Sequence, residues 1–421
     1  MINNGINHKE AVLILGASAL QVPLIKFTKA KGYFVIVVSI PGNYPGFLLA
    51  DKIVYADVRD VDGIYGIVKN YNVVSILTDE TDIAVPTVAC LCQKFKLHGN
   101  DPEIASIYSN KFLMRETCRR IGVSIPKYFR ISDVNYADEK ISDIAFPAIM
   151  KPEDNQGSRG IYKVLSLEDV RCHFQESLSF SKTGNVIVEE FFKGQEVVCE
   201  GYVINGEYIN WGLADRKYFD LRGLFIPCQT IFPSKIPADI KEKIIAAERK
   251  IHKELCPNFG MIHSEYLYNE ETKEYILVET ALRGGGVYIS SHLIPYYTGY
   301  DNYELLLSCS LGKVPQTSDI LSQIRNKSAC YMCFYLPKGE IVHIAGITEL
   351  SNRESIKVID LDALKIGTKT EIIRNKTQRL GPIIIAAENR DELEKEIDIV
   401  KNTLVINVKT KEGQIKGICW K

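Results

Sequence analysis

The segment GMIHSEYLYNEETKEYILVETALRGGG, residues 260–286, has the pattern of two apolar strands joined by a polar turn at residues 269–274. Glu265 lies on the first strand and Glu279 on the second, so the turn can bring their carboxylates together across the hairpin. Two buried carboxylates repel each other unless a cation lies between them, and oxygen ligands favour Mg²⁺ held jointly with phosphate oxygens. The hairpin therefore predicts a metal site.

Glycines and an arginine follow the second strand directly. Arg283 precedes Gly284, Gly285 and Gly286, whose backbone N–H groups are suited to a carboxylate or an acyl phosphate. Three consecutive glycines have little use inside a packed core, so we favour a substrate-binding loop over a plain connection.

One histidine lies close to the predicted metal site. His263 is two residues before Glu265, so on an extended strand both side chains face the same side. The imidazole could orient a substrate carboxylate or accept an amine proton. A core histidine bonded to a backbone carbonyl explains the position equally well.

A lysine and a small-residue run form a second candidate site. Lys151 ends an apolar strand, and the residues that follow in the next turn are Gly157, Ser158, Arg159 and Gly160. Such a turn lets backbone N–H groups approach an anion beside two cations, which would make a phosphate clamp. It is not a Walker loop, because Gly-Lys-Ser/Thr is missing. A surface hairpin with a solvated lysine explains the same residues at least as well.

The segment VIVEEFFKGQEV, residues 186–197, has features that suit a nucleotide. Glu189 and Glu190 end an apolar strand, and the backbone beside Phe191 could pair with an adenine. Glu196 could accept hydrogen bonds from two ribose hydroxyls. Taken alone, an alternating strand with one carboxylate in solvent is the simpler explanation of Glu189 and Glu190.

The composition of the chain argues against several classes of protein. The chain has 421 residues with 51 Lys and Arg against 52 Asp and Glu, so no global field favours nucleic acid or anionic lipid. Its apolar runs are too short to span a bilayer and its first ten residues lack a secretory signal, so we expect a cytoplasmic protein without a membrane partner. Cys330 and Cys333 form a C-x-x-C pair inside an apolar run, where we expect buried structural thiols.

The order of elements predicts several domains. The first hundred residues alternate strands with helices, which indicates a parallel sheet, and Gly16 is better explained by a tight turn than by a dinucleotide site. One helix is expected over residues 101–122 and another over 236–255. Antiparallel hairpins are expected over residues 148–166 and 186–204, and a helix at 391–402 with a strand at 403–408 near the end.

The chain resembles the ATP-grasp superfamily in a series of motifs that occur in the same order. These motifs are SNKFLMRE, FPAIMKP with NQGSRGI, VIVEEFFKGQE, GMIHSEYLY and ILVETALRGGG. The resemblance implies an α/β and α+β multidomain protein: an ATP-grasp fold with an N-terminal Rossmann-like parallel sheet domain and a β-rich C-terminal domain. The expected boundaries are 1–110, 111–312 and 313–421, with a mobile lid at about 125–190.

The resemblance also implies roles for single residues. Lys111 and Lys151 would bind the ATP phosphates, and the lid would contain residues 157–161. The adenine would be framed by Glu189, Glu190 and Phe191, and Glu196 would hold the ribose. Glu265 and Glu279 would bind Mg²⁺, or Mn²⁺ in its place. Arg283 would steady an acyl phosphate. Apart from the resemblance, Arg216 in ADRKYFD, residues 214–220, is a candidate substrate-binding residue, although a solvated loop explains that segment as well.

One departure from the pattern narrows the family. Most members of the superfamily have the motif E-x-N-x-R, whereas this chain has Ala281 in place of the Asn. The change removes one oxygen ligand for a second metal. With its E-x-A-x-R motif, the chain resembles bacterial L-amino-acid ligases that form dipeptides. It shares with them a G-x-x-H-x-E arrangement, here Gly260, His263 and Glu265. We therefore expect an ATP-dependent carboxylate–amine ligase acting on small molecules, an assignment compatible with a homodimer. The alternatives are a bicarbonate-activating carboxylase or carbamoyl-phosphate-synthase-like enzyme, and a nucleotide-binding regulatory protein without turnover.

Overall fold

In a computed structural model, the chain is described at residues 9–136, 141, 143–155, 159–221 and 224–421. Gly157 and Ser158 of the predicted phosphate clamp lie outside these residues.

The N-terminal part contains the predicted parallel sheet, with strands in the order β3-β2-β1-β4 and every neighbouring pair parallel. Its strands are Ala11–Leu15 (β1), Phe34–Ser39 (β2), Lys52–Tyr55 (β3) and Val73–Leu77 (β4), and its helices are Val22–Ala30 (α1), Val61–Val68 (α2) and Val85–Phe95 (α3). Gly16 follows β1 at φ +111°, where a Cβ would lie 2.9 Å from the Gln21 side chain. The expected tight turn is confirmed.

The single helix expected over residues 101–122 is two helices, Pro102–Ser109 (α4) and Lys111–Ile121 (α5). Asn110 between them is extended, and its side chain accepts a hydrogen bond from the Leu113 N–H at 3.0 Å. An Asn cap of this kind begins a new helix, so the prediction of continuity was wrong. The break places Lys111 at the first position of α5, where its N–H donates to the Glu153 carbonyl at 2.8 Å.

A four-stranded sheet follows, in the order β5-β8-β6-β7. Its strands are Tyr128–Ile131 (β5), Ala148–Pro152 (β6), Tyr162–Val164 (β7) and Val186–Glu190 (β8), with the helix Leu167–Ser179 (α6) packed on it. The hairpin of β6 and β7 is antiparallel as predicted.

The prediction of a hairpin over residues 186–204 was wrong. The strand Gln195–Ile204 (β9) belongs to a different sheet from β8, and residues 191–194 connect the two sheets. β9 pairs instead with Glu207–Tyr218 (β10) across Asn205 and Gly206, whose φ values are +48° and +76°. Asn-Gly is the residue pair that this tight hairpin turn favours, and it is a stronger signal than Lys193-Gly194.

The largest sheet has eight strands in the order β13-β12-β9-β10-β11-β14-β18-β16. Its further strands are Pro227–Phe232 (β11), Phe259–Tyr268 (β12), Tyr275–Ala281 (β13), Ser328–Phe334 (β14), Ile356–Ile359 (β16) and Leu380–Ala387 (β18). Because β11 pairs with β14, the sheet continues across the boundary expected near residue 312.

Helices cover this sheet, and a third small sheet completes the C-terminal part. The helices are Ala238–Leu255 (α7), Ile294–Thr298 (α8), Asn302–Ser310 (α9), Thr317–Leu321 (α10), Ile347–Ser351 (α11) and Arg390–Thr403 (α12). The small sheet is formed by Gly339–Ala345 (β15), Lys369–Thr370 (β17), Val405–Lys409 (β19) and Ile415–Lys416 (β20). The predicted helices at 236–255 and 391–402 therefore correspond to α7 and α12. None of the helices in the described part of the chain is both long and apolar enough to cross a bilayer.

The two cysteines of the C-x-x-C pair are buried free thiols on β14, as expected. Burial raises the pKa of Cys330 and of Cys333 to about 12. Residues three apart on a strand face opposite sides of the sheet, so the two sulfurs lie in different parts of the core.

A buried carboxylate ties α7 to the β12–β13 hairpin from behind. Glu248 and His252 are fully buried and 2.9 Å apart, and Glu248 also accepts hydrogen bonds from the hydroxyls of Ser264 and Tyr266. The Thr280 hydroxyl lies 2.7 Å from the Ser264 hydroxyl across the hairpin and can donate to it. These side chains alternate with those of Glu265 and Glu279, so the network fixes the reverse face of the predicted metal site.

We expect Glu248→Ala to lower the free energy of unfolding by about 3 to 5 kcal/mol, because three buried donors would lose their acceptor. Urea denaturation followed by circular dichroism measures this, with Glu242→Ala on the exposed side of the same helix as the control. Equal midpoints for the two variants would contradict the prediction.

Candidate active site

Glu265 and Glu279 are direct cross-strand partners in the β12–β13 hairpin. Directly opposed residues have Cβ atoms about 4.5 to 5.5 Å apart, so both carboxylates reach the same small volume. The register shifts next to this pair, since Tyr266 opposes Leu277 and leaves Val278 as an extra residue. Bulges of this kind often lie beside active sites and re-aim a neighbouring side chain. The Val278 carbonyl accepts a hydrogen bond from Arg115 at 2.7 Å.

Cations from other segments balance these two carboxylates. Lys111 at the start of α5 lies 2.9 Å from Glu279, and Arg216 on β10 donates to Glu265 at 2.6 Å. Burial alone would lower the pKa of Lys111, but the Glu279 carboxylate raises it. Burial opposes ionisation of Glu265 as well, yet Arg216 and His263 hold its pKa well below the usual range. Glu265 is therefore charged, and Glu279 has the Lys111 ammonium as its partner.

The donor set fits a divalent cation that prefers oxygen. Glu265 and Glu279 keep 26% and 33% of their side-chain surface exposed, so a ligand can reach both. No three His, Cys, Asp or Glu side chains form a metal-binding group in the part of the chain that the structure describes. The pair would thus supply two protein ligands for Mg²⁺ or Mn²⁺, with phosphate oxygens and water as the others.

Arg216 joins the metal pair to the predicted ribose site. Its guanidinium donates to Glu196 at 2.7 Å as well as to Glu265, and the Tyr218 hydroxyl donates to the other oxygen of Glu196. Burial and the neighbouring Glu265 carboxylate raise the pKa of Glu196. Arg216 is 8% exposed, so the solvated loop considered for it is excluded.

His263 is bonded to a carboxylate, not to a backbone carbonyl. Its Nδ1 lies against Glu200 on β9, and its Nε2 is 3.4 Å from Glu265. Burial lowers the pKa of His263, but Glu200 outweighs this and raises it to about 9. The ring is therefore an imidazolium at neutral pH. Sequence reasoning missed Glu200, whose one signal is an isolated charge in the apolar run EVVCEGYVI.

Lys151 and Glu189 form a buried ion pair on the four-stranded sheet. Glu189 lies 2.6 Å from Lys151 and 2.6 Å from Arg115, and Lys151 is only 5% exposed. The alternative of a solvated lysine on a surface hairpin was therefore wrong. Burial lowers the pKa of Lys151. Burial would raise the pKa of Glu189, but the two cations lower it to about 2.

The neighbours of Glu189 are more open. Glu190 accepts a hydrogen bond from the Ala145 N–H at 3.1 Å, and the Phe191 ring lies 3.8 Å below the Lys163 ammonium. Glu189 is buried like the three residues before it and Glu190 is half-buried, so the strand does not show the alternation considered for it. In the described part of the predicted lid, Arg159 contacts Asn155 at 3.2 Å, and Gly160 has φ +73°.

An acidic loop of the N-terminal part holds the glycine run in place. Arg283 forms two hydrogen bonds to Asp82, at 2.7 and 3.1 Å. The N–H of Gly284 donates to Asp79 at 3.1 Å, and the Val287 N–H donates to Glu80 at 2.8 Å. Burial raises the pKa of Asp79, and burial together with Asp79 raises the pKa of Glu80 well above its usual range.

These acids were also missed, although a signal existed. The run TDETD, residues 78–82, follows β4 at the carboxyl end of a parallel sheet, where ligand sites commonly form. Sequence reasoning gave it no role because its partners lie about two hundred residues later.

Close packing leaves no room for a side chain at two of the three glycines of residues 284–286. A Cβ on Gly284 would lie 2.3 Å from Ser290, and one on Gly285 would lie 2.6 Å from the Glu200 carboxylate. A Cβ on Gly286 would meet nothing closer than Glu80, at 3.9 Å. The expectation that three glycines have little structural use was therefore wrong for Gly284 and Gly285. Only Gly286 borders open space.

The central part of the chain is similar to a known domain family. Residues 144–291 match the ATP-grasp domain family. The alanine–anticapsin ligase of Bacillus subtilis is 24% identical over 290 residues, which is 63% of this chain and 60% of the ligase. The chain spans 53% to 60% of the length of the first curated relatives that it matches.

Solved structures show the same fold over nearly the whole chain. The L-amino acid ligase from Bacillus licheniformis has a TM-score of 0.77 at 17% identity, covering 95% of this chain and 98% of that one. Phosphoribosylglycinamide synthetase from Anaerococcus prevotii has a TM-score of 0.75 at 23% identity, covering 96% and 100%. The resemblance to the ATP-grasp superfamily and the predicted fold class are confirmed.

The ion pairs of Glu189 make the free energy of unfolding depend on pH in the acidic range. The folded pKa of about 2 lies below the ordinary 4.5, so the pairs stabilise fully above pH 4.5 and progressively less as pH falls towards 2. We expect Glu189→Gln to lose on the order of 3 kcal/mol at pH 7, with the difference from wild type shrinking towards pH 2. Urea midpoints from pH 7 to pH 3 test this, with Glu242→Gln as the control. A difference independent of pH would contradict it.

The glycine contacts predict different effects of one methyl group at neighbouring positions. Gly285→Ala forces the Glu200–His263 pair to move and should cost about 1 to 3 kcal/mol, whereas Gly286→Ala should leave the fold intact. Thermal unfolding compares the two variants. The same melting temperature for both would show that the loop does not depend on these contacts.

Proposed function

Because this chain contains an ATP-grasp domain, we propose that it is an ATP-dependent ligase that joins a carboxylate to an amine and releases ADP and phosphate. The observation that carries the proposal is the opposed pair Glu265 and Glu279, which is accessible and is contacted by cations from separate segments. Amino-acid substrates are favoured because the relatives named above include an L-amino acid ligase and an alanine–anticapsin ligase.

The cations suit the charge that develops during phosphoryl transfer. We assign Lys111 and Lys151 to the nucleotide phosphates, where their ammonium groups spread the charge of the transferred group. Glu265 and Glu279 would hold Mg²⁺ or Mn²⁺, which compensates phosphate charge when bound. Lys111 can exchange Glu279 for a phosphate oxygen once that carboxylate has another cation.

The nucleotide base and sugar would lie between the four-stranded sheet that contains β8 and the eight-stranded sheet that contains β9. We assign Glu189, Glu190 and Phe191 to the adenine site, because the strand β8 ends there and the chain crosses to β9. Glu196 would accept hydrogen bonds from the ribose, in place of those it now receives from Arg216 and Tyr218. Gly157, Ser158, Arg159 and Gly160 would cover the phosphates and exclude water, which hydrolyses acyl phosphates.

The reacting carboxylate would lie beside the glycine loop. We assign the Arg283 guanidinium to the acyl phosphate, because Asp82 holds it and it donates to the Gly284 carbonyl at 2.9 Å, at the start of the glycine loop. We assign His263, which lies against Glu200 and 3.4 Å from Glu265, to the substrate carboxylate, to which its imidazolium form would donate a hydrogen bond. Arg216 would act through Glu265, to which it donates a hydrogen bond.

We expect Lys151→Ala and Glu279→Ala each to abolish amino-acid-dependent release of ADP, because each removes a charge that the transition state requires. A phosphate-release screen of amino-acid pairs, followed by mass spectrometry of the product, identifies the substrates. The exposed Glu242→Ala variant is the control for folding. Full turnover by either site variant would refute these assignments.

The same screen separates the two alternative functions. Release of ADP that depends on bicarbonate, without any amino acid, would indicate a carboxylase-like enzyme. Ala281, buried beside the metal pair, motivates the regulatory alternative, since it supplies no oxygen ligand. In that case ATP with Mg²⁺ would raise the melting temperature while no substrate caused phosphate release.

A further inference from the structure

Arg115 is a buried arginine that joins three elements of the site. It lies on α5, four residues and about one helical turn after Lys111, and it is 1% exposed. Its Nε donates to Glu189 Oε1 on β8 at 2.6 Å, and its Nη2 donates to the Val278 carbonyl on β13 at 2.7 Å. One guanidinium therefore connects the helix that begins with Lys111, the sheet that contains β8 and the hairpin that contains Glu279.

The two carboxylate oxygens of Glu189 contact different cations. Oε1 accepts the hydrogen bond from Arg115, whereas Oε2 lies 2.6 Å from the Lys151 ammonium. All three side chains are buried, so each charge needs a partner close by. Counted on its own, this cluster has two positive charges against one negative charge. The cluster of Arg115, Lys151 and Glu189 therefore suits a further anion.

The two lysines assigned to the phosphates differ in what can replace them at their carboxylates. Lys111 pairs with Glu279, a proposed metal ligand that a divalent cation would balance when bound. Glu189 is not one of the proposed metal ligands, so the metal would not balance it when Lys151 contacts a phosphate oxygen. Arg115 already supplies that balancing charge, and a second hydrogen bond, to the β13 backbone, holds it in place.

We infer that Arg115 is the permanent counter-ion of Glu189 and thereby leaves the charge of Lys151 available to the phosphates of ATP. The inference rests on the proposed function, in which Lys151 contacts these phosphates. Arg115 is a positioning residue in this role, because it acts through Glu189 and Lys151 and does not touch the nucleotide. Without it, one ammonium would have to balance both a buried carboxylate and a phosphate.

Binding of ATP with Mg²⁺ in the absence of amino acids, followed by isothermal titration calorimetry, tests this role. We expect Arg115→Gln to raise the Kd for ATP at least about tenfold, because Glu189 then competes with the phosphates for Lys151. Arg115→Lys keeps a cation at this position and should restore most of the affinity. Arg119→Met is the control on the same helix, where the side chain is 66% exposed, and should bind ATP as the wild type does.

Removal of the carboxylate distinguishes a counter-ion from a merely structural arginine. The competing charge is absent in the Glu189→Gln background, so adding Arg115→Gln there should change the Kd for ATP by less than about threefold. A structural role, or direct contact of Arg115 with a phosphate, would weaken binding in both backgrounds. Far-UV circular dichroism establishes that each variant is folded. If Arg115→Gln alone does not fold, Arg115→Lys and the double variant decide, since each must bind ATP within about threefold of its parent.

The outcomes separate this inference from the proposed function. Binding of ATP by the wild type, with an unchanged Kd in Arg115→Gln, would overturn this inference alone. A loss of affinity that persists in the Glu189→Gln background, or that Arg115→Lys shares in full, would also overturn it. Absence of ATP binding by the wild type would overturn the proposed function and this inference with it.

Discussion

The site depends on balancing two carboxylates that the β12–β13 hairpin holds opposite each other. Glu265 and Glu279 cannot both be charged at this separation unless cations surround them. Those cations come from distant segments: Lys111 begins α5, and Arg216 lies on β10. The breaks and turns that deliver them, such as Asn110, are therefore as much a part of the site as the hairpin itself.

Structure behind and beside the hairpin keeps this geometry fixed. Glu248 binds its reverse face through Ser264 and Tyr266, and Glu200 holds His263 on the same face as Glu265. The acidic loop after β4 fixes the glycine run. Burying this many charged groups is costly unless each has a partner, so losing one partner is expected to destabilise the others.

Local patterns were enough to predict the parallel sheet, the β12–β13 hairpin and the opposition of Glu265 to Glu279, because each lies within one short segment. Sequence reasoning failed where a contact joins distant segments. Glu200 and the acids at 79–82 carry little meaning until folding brings them to His263 and Arg283. It also failed at β8 and β9, since an apolar strand pattern does not reveal which sheet a strand joins.

Direct measurement of metal binding tests the central claim most sharply. Mn²⁺ binding in the presence of ADP can be followed by electron paramagnetic resonance in the wild type, in Glu265→Gln and in Glu279→Gln. The account predicts a nucleotide-dependent Mn²⁺ site in the wild type that each substitution weakens at least tenfold. Wild-type affinity in both variants would contradict it, because the two carboxylates would then not hold the metal.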